Sequence, residues 1–174
     1  MYAGFPTPEH AYRRYAEAIN AGAFCEAINT FAPSSRSSVA FANWKGLALL
    51  AGMDNPNRPA YLARFLAFCA GHQLPCNSDQ QALALALRLM NGEALTAELP
   101  ELHALLARAP EDTYVEIMTQ LAAVDQPAMA KFETELVDGQ SQGERATGRA
   151  RQQTGGSSTL TFARSPSGWM IEFE

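Results

Sequence analysis

No stretch of this chain approaches the ~18 uninterrupted apolar residues of a membrane-spanning helix, and its first residues lack the basic-then-apolar order of a secretory leader. No membrane partner is expected, and the chain as it stands reads as cytoplasmic, with an already trimmed leader as the alternative. Cysteine is scarce, at three residues, and an odd count with no leader favours reduced thiols. Histidine is limited to His10, His72 and His103, each on a separate segment with no carboxylate at a telling spacing. There is no glycine-rich phosphate loop, no Gly-x-Ser-x-Gly elbow and no zinc-protease helix. Basic residues thin out along the chain. Residues 1–90 carry seven Lys/Arg against five Asp/Glu, and residues 91–174 carry six against thirteen. An acidic back half disfavours nucleic acid, whose binding draws on clustered cations.

What the chain does have is apolar residue enough for a core. With 174 residues and 47% hydrophobic content, one α+β domain spanning residues 1–174 is expected, mainly helical over 1–126 and an antiparallel meander over 128–174. The stretch TPEHAYRRYAEAINAGAFCEAINTF, Thr7 to Phe31, reads as two short helices at a glycine corner. Thr7 is the cap, Pro8 takes the first helical position, and Glu9 meets the positive end of the helix dipole. Tyr12, Tyr15, Ala16 and Ile19 form one apolar stripe, Gly22 supplies the left-handed stop, and Phe24, Ala27, Ile28 and Phe31 repeat the spacing until Pro33.

Further helices are expected from the cap at Ser34 or Ser35, with Phe41, Trp44, Leu47 and Ala48 on the apolar face, and from Pro59, with Tyr61, Leu62, Phe65, Leu66 and Cys69 inward up to Gly71. Ser78 and Gln81 have capping-box spacing and open a fifth helix whose buried side is expected to be Leu83, Leu87 and Met90. Two more helices flank Pro110. After Pro127 the period changes to two. Phe132, Thr134 and Leu136 alternate with Lys131, Glu133 and Glu135 as a first strand, and DGQSQG is its turn. Residues 144–152 put Arg145, Thr147, Arg149 and Arg151 on one face and Ala146, Gly148 and Ala150 on the other. Leu160 and Phe162, then Trp169, Ile171 and Phe173, point inward on the last two strands.

The pattern of a proline-capped helix with a tyrosine, then "NAG", a second short helix and "FAP", resembles the opening of the nuclear-transport-factor-2-like superfamily, which includes ketosteroid isomerases and polyketide cyclases. The end, TLTFARSPSGWMIEF, is similar to that family's last hairpin. The resemblance implies a cone, in which N-terminal and central helices pack on a curved four-stranded antiparallel sheet, and a homodimer through that sheet is compatible with it. One departure is that about 90 mostly helical residues intervene where the family places early strands. The resemblance would make Tyr15 the hydrogen-bond donor to an oxyanion. It puts the family's base at Val39 and its acid near Leu160, and neither moves a proton, so steroid-isomerase chemistry is not expected and Tyr15 reads as a core tyrosine.

Three clusters remain as candidates. Cys69, His72 and Cys76, C-x-x-H-x-x-x-C, can be reduced thiols, a Cys69–Cys76 disulfide or part of a zinc site, of which the first is favoured and no metal or other cofactor is expected. The small-residue face of Ala146, Gly148 and Ala150 is either closely packed or lines a cavity, and a cavity for a small apolar ligand would have Tyr15, Trp44 and Trp169 near it, with Arg36 as an anchor for an acidic group. The acidic helical residues Glu98, Glu101, Glu111, Asp112 and Glu116 form a surface suited to a basic protein partner. The leading expectation is a non-catalytic interaction protein, of an inhibitor or immunity type. An enzyme or ligand carrier using Tyr15 and a scaffold or oligomerisation domain are the alternatives.

Overall fold

The computed structural model describes residues 4–93, 99–125 and 131–173. The fold is α+β, with helices first and an antiparallel sheet last. The chain resolves into two compact units, Met1–Val39 with Pro127–Glu174, and Ala40–Gln126.

In the first unit, α1 (Pro8–Ala21) starts at Thr7, whose hydroxyl accepts from the His10 N–H at 3.2 Å, and stops at Gly22 in the left-handed region. It buries Tyr12, Ala16 and Ile19 together with Ala11 and Ala18, and leaves Tyr15 half-buried. The short α2 (Phe24–Asn29) packs on α1 and runs into a single 3-10 turn at Pro33–Ser35. Four strands, β1 (Val137–Gln142), β2 (Arg145–Arg151), β3 (Ser157–Ser165) and β4 (Gly168–Glu172), lie in the order β1-β2-β3-β4, all antiparallel. The N-terminal segment and the end of α2 both join the β4 edge. Phe5 pairs antiparallel with Trp169, and Phe31 pairs parallel with Ile171, with the Ile171 N–H donating to Thr30 O at 3.0 Å and the Ala32 N–H to Ile171 O at 2.8 Å. That edge is therefore covered by the protein's own backbone, which removes it as a template for strand addition.

The meander is right in number and the first strand is misplaced by the sequence pattern. Residues 131–136 are not a strand; only Phe132 bridges to Gln152. The DGQ and SQ of the expected turn are β1 itself, and the tight turn is Gly143–Glu144, with Gly143 at φ +64°. β1 carries a register shift between Val137 and Gln140, where Asp138 takes φ +53°. An exposed strand of polar residues has no alternation to reveal it, and the bulge blunts its free edge. What the charged alternation of 131–136 does instead is hang on α1. The Tyr12 hydroxyl donates to Glu133 O at 2.6 Å, and the Asn20 carboxamide donates to Phe132 O and accepts from the Phe132 N–H, both at 2.9 Å.

β2 follows the expected alternation, its small residues buried and its arginines exposed. The space left by Gly148 is filled by Leu136, whose Cδ2 would lie 2.5 Å from an added Cβ, so close packing occupies this face. Among the arginines of β2, Arg149 pairs with Asp138, and Arg145 with Glu172 at 3.8 Å. Phe162, Trp169 and Ile171 are buried, whereas Phe173, expected inward, is 41% exposed beyond the end of β4.

The second unit holds most of α3 (Arg36–Gly52), then α4 (Arg58–Gly71), α5 (Asp79–Met90), α6 (Pro100–Arg108) and α7 (Pro110–Asp125), with α7 packed on α4 and α6. Trp44, Leu47, Ala48, Tyr61, Phe65, Phe68, Tyr114 and Ile117 supply its core. α5 turns the opposite way from the expected one. It buries Ala82, Ala86 and Leu89 and exposes Leu83, Leu87 and Met90. The reason is Gly52: a Cβ there would sit 2.3 Å from the Ala86 Cβ and 2.6 Å from Ala82 O, so α3 and α5 meet backbone to backbone across small residues. Close helix contact selects the alanine stripe over the bulkier one.

Candidate functional site

The site with most unspent chemistry lies in the second unit, where α4 ends and α5 begins. α4 closes in a Schellman motif built on a non-glycine residue. Gln73 takes φ +56° and its N–H donates to Ala70 O at 3.3 Å, while the Leu74 N–H donates to Cys69 O at 2.8 Å. The chain thus reverses within a few residues, and Pro75 cannot continue a helix. Ser78 caps α5, accepting from the Gln81 N–H at 3.4 Å, and the Gln81 side chain accepts from the Asn77 N–H at 2.8 Å. A cavity of about 320 Å³ remains between these elements, lined by Trp44, Cys69, Leu74, Pro75, Cys76, Gln81, Ala84, Leu85, Arg88 and Leu99.

Cys69 and Cys76 meet on this wall, and all three cysteines of the chain are free thiols. The neighbouring Cys76 thiol, and burial, push the Cys69 thiol up, while the neighbouring Cys69 thiol, with the Ser78 backbone and against burial, brings Cys76 down. His72 does not join them. Its ring lies 4.6 Å from the Phe68 ring, and its Nε2 is 2.8 Å from the Glu116 carboxylate. Among the described residues no three His, Cys, Asp or Glu side chains converge as metal ligands.

Of the four expected pocket residues, Tyr15, Arg36 and Trp169 belong to the first unit and Trp44 to the second. Trp44 lines the cavity just described, packed against Phe41 at 5.9 Å and Phe65 at 6.0 Å, and its buried indole N–H has no partner among the described residues. Trp169 belongs to the first unit and lines a different, open groove of about 550 Å³ with Gly4, Pro6, Glu144, Arg164 and Ser167. Arg36 is buried, its Nε–H donating to Phe31 O at 3.2 Å. Tyr15 stands edge-on to Phe31 at 5.4 Å and tilted on Phe132 at 5.6 Å. Neither Tyr15 nor Arg36 lines either cavity. Desolvation first, then the neighbouring Tyr12, pushes the Tyr15 hydroxyl up to about 12, and desolvation with the nearby Glu133 carboxylate does the same for Tyr12.

The acidic residues also separate by role. Glu101 and Asp112 are exposed in the first turns of α6 and α7, where they complement the helix dipoles. Glu111 is half-buried, Glu116 is held by His72, and Glu98 lies outside the described residues. The stripe Leu83–Leu87–Met90 escaped sequence reasoning as a surface. The signal that could have found it was the set of small residues Gly52, Ala82 and Ala86, at the spacing of a close helix crossing. Among the described residues no helix is long and apolar enough to cross a membrane. Comparison with protein-family models, with curated proteins and with solved structures returns no match for this chain.

Proposed function

We propose that the protein is a non-catalytic interaction protein that binds a basic protein partner through its second unit, in the manner of an inhibitor or immunity-type protein. The observation that carries this reading is the outer stripe of α5: Leu83, Leu87 and Met90 are 43%, 52% and 56% exposed while alanines take the core. Three large apolar side chains at helical spacing are poorly suited to water, and such a patch with charge around it is what a partner covers. The charge supports a basic partner: Glu101 and Asp112 are exposed in the same unit, and the whole chain carries a formal charge of -5. The three free thiols support a cytoplasmic setting as part of the same proposal. For the first unit, the glycine corner between α1 and α2 and the final hairpin support carrying the nuclear-transport-factor-2-like relationship forward as a proposal about ancestry.

The deciding experiment is native mass spectrometry of the full chain isolated gently from its own cells, with purified protein as control. Wild type should carry a stoichiometric basic protein. Leu83→Asp/Leu87→Asp and, separately, Glu101→Lys/Asp112→Lys should each lose it while keeping the wild-type circular dichroism. A partner retained by both double variants overturns the reading. So does a homodimer that the first variant dissociates, which would mean the stripe is covered by a second copy. A second reading, small-ligand binding, is favoured by the cavity beside Trp44. It predicts a retained small-molecule mass that Trp44→Phe abolishes and that Tyr15→Phe leaves unchanged.

A further inference from the structure

The inner face of the first unit's sheet ends in a row of side chains that the core does not use. Residues directly opposite on neighbouring strands point to the same face. One such row, Ala146, Phe162 and Ile171, is buried. Two residues further along comes the next, Glu144, Arg164, Trp169 and Phe5. The Arg164 N–H donates to Glu144 O at 2.8 Å, Arg164 pairs with Trp169, and Trp169 with Phe5. This row and the β3–β4 turn line the open groove of about 550 Å³, a size within the range of small-molecule sites. Opposite charges at facing strand positions are well placed to pair. Glu144 and Arg164 do not: both are exposed, and among the described residues neither side chain has a hydrogen bond or an ion pair. The turn adds a directed acceptor. Ser165 Oγ donates to Gly168 O at 3.1 Å and accepts from the Ser167 N–H at 3.2 Å, so in the 2.7 Å contact between the two hydroxyls Ser167 is the donor. With its proton committed, the Ser167 oxygen can only accept from anything in the groove.

We propose that this groove binds a free α-amino acid with an apolar side chain, at a site in the first unit independent of the α5 surface. A bare anion such as phosphate would meet the Glu144 carboxylate, and a bare cation would meet the Arg164 guanidinium, whereas a zwitterion suits both. Arg164 holds the ligand's carboxylate through charge-assisted N–H···O bonds. Glu144 and the Ser167 oxygen, both acceptors, take its ammonium. An α-amino acid carries the two groups on one carbon, and facing positions of adjacent strands, with Cβ atoms about 5 Å apart, reach both at once. In a peptide each further residue separates the two ends by up to about 3.5 Å more. The ligand's side chain lies against Phe5 and Trp169, the aromatic end of the same row.

The test titrates L-phenylalanine into the nitrogen-15-labelled full chain and follows the amide resonances. Those of Arg164, Ser167, Gly168 and Trp169 should shift together and saturate, while those of Leu83, Leu87 and Met90 stay in place. Arg164→Gln and Glu144→Gln should each weaken binding about tenfold or more, the loss of one charge-assisted contact, with circular dichroism unchanged. Ligand chemistry repeats the test on the wild-type chain: N-acetylphenylalanine lacks the ammonium and phenylalaninamide the carboxylate, and each should bind about tenfold or more weakly than phenylalanine. Absence of a saturable shift at millimolar phenylalanine overturns the proposal, as does phosphate or phenethylamine binding as well as phenylalanine. Glycine binding equally well would overturn the role of Phe5 and Trp169, and a Phe-Phe dipeptide binding about tenfold more tightly would overturn the single amino acid. Should either glutamine variant fail to fold, the N-acetyl and amide comparison still decides.

Discussion

The two units are comparable in length but are held together by different means. The first is bound by polar and backbone links between segments far apart in sequence: Tyr12 to Glu133, Asn20 to Phe132, the Phe173 N–H to Ser35 Oγ at 3.0 Å, and the pairing of Phe5 and Phe31 with β4. The second is bound by aromatic and aliphatic packing and by the small-residue crossing of α3 and α5, with isolated polar links such as Arg64 to Gln120 at 2.8 Å. Side-chain packing tolerates leftovers, and in this protein the exposed stripe, the apolar cavity and the thiol pair all fall in the second unit. A search for the protein partner is best started there.

The sharpest way to break the comparison is at the β4 edge. Gly168 takes φ +125°, and a Cβ on it would lie 2.6 Å from the Gly4 carbonyl carbon and 2.7 Å from Phe5 O. Gly168→Ala is expected to cost about 3 kcal/mol in urea unfolding, from strain and backbone overlap together. A cost under about 1 kcal/mol would show that the N-terminal segment does not clamp β4.

Next comes the polar staple. Asn20→Ala leaves the Phe132 N–H and C=O without their partner and should cost about 2 kcal/mol, with faster amide exchange at Phe132. Its counterpart in the second unit, Gly52→Ala, forces a methyl onto Ala86 and Ala82 O and should cost about 1 to 2 kcal/mol. If Asn20→Ala is harmless and Gly52→Ala severe, the contrast between the units is reversed.

Alkali distinguishes them by a different route. The folded first unit holds Tyr12 and Tyr15 neutral up to about 12, whereas in the unfolded chain they ionise near the ordinary 10. The stability this provides is intact below about pH 10 and is lost as pH rises through 12. Phenolate absorbance should therefore show Tyr12 and Tyr15 ionising late, together with loss of circular dichroism. Both titrating near 10 in a folded protein would contradict their burial. The smallest effect is expected on α5. Leu83→Gln, Leu87→Gln and Met90→Gln should each change stability by less than about 0.5 kcal/mol despite their size, because they face solvent.

Much of the fold was legible wherever a local rule operates. Thr7, Pro8 and Gly22 bound α1, Ser78 and Gln81 start α5, and Pro59 and Pro110 fall in the first turns of α4 and α7. Caps and proline act within one turn, so sequence spacing suffices. Strand β1 was not legible, because VDGQSQ is an exposed edge strand with a bulge and buries no alternating face. The site was legible only in its parts. Cys69 and Cys76 stood out as a cluster, but nothing local says that His72 turns to Glu116 or that Trp44 reaches the same wall as the thiols.

The sequence by itself determined the order of helices and sheet, most helix boundaries, the small-residue face of β2 and the scarcity of titrating groups, all of which depend on neighbours one to four residues away. Tertiary structure alone decided which stripe of α5 is buried, that residues 137–142 are strand and not turn, and what fills the space beside Gly148. Two of them are set by residues distant in the chain, Gly52 against Ala86 and Leu136 against Gly148. Helical periodicity ranks side chains by size, but a close crossing of two backbones rewards the smallest ones.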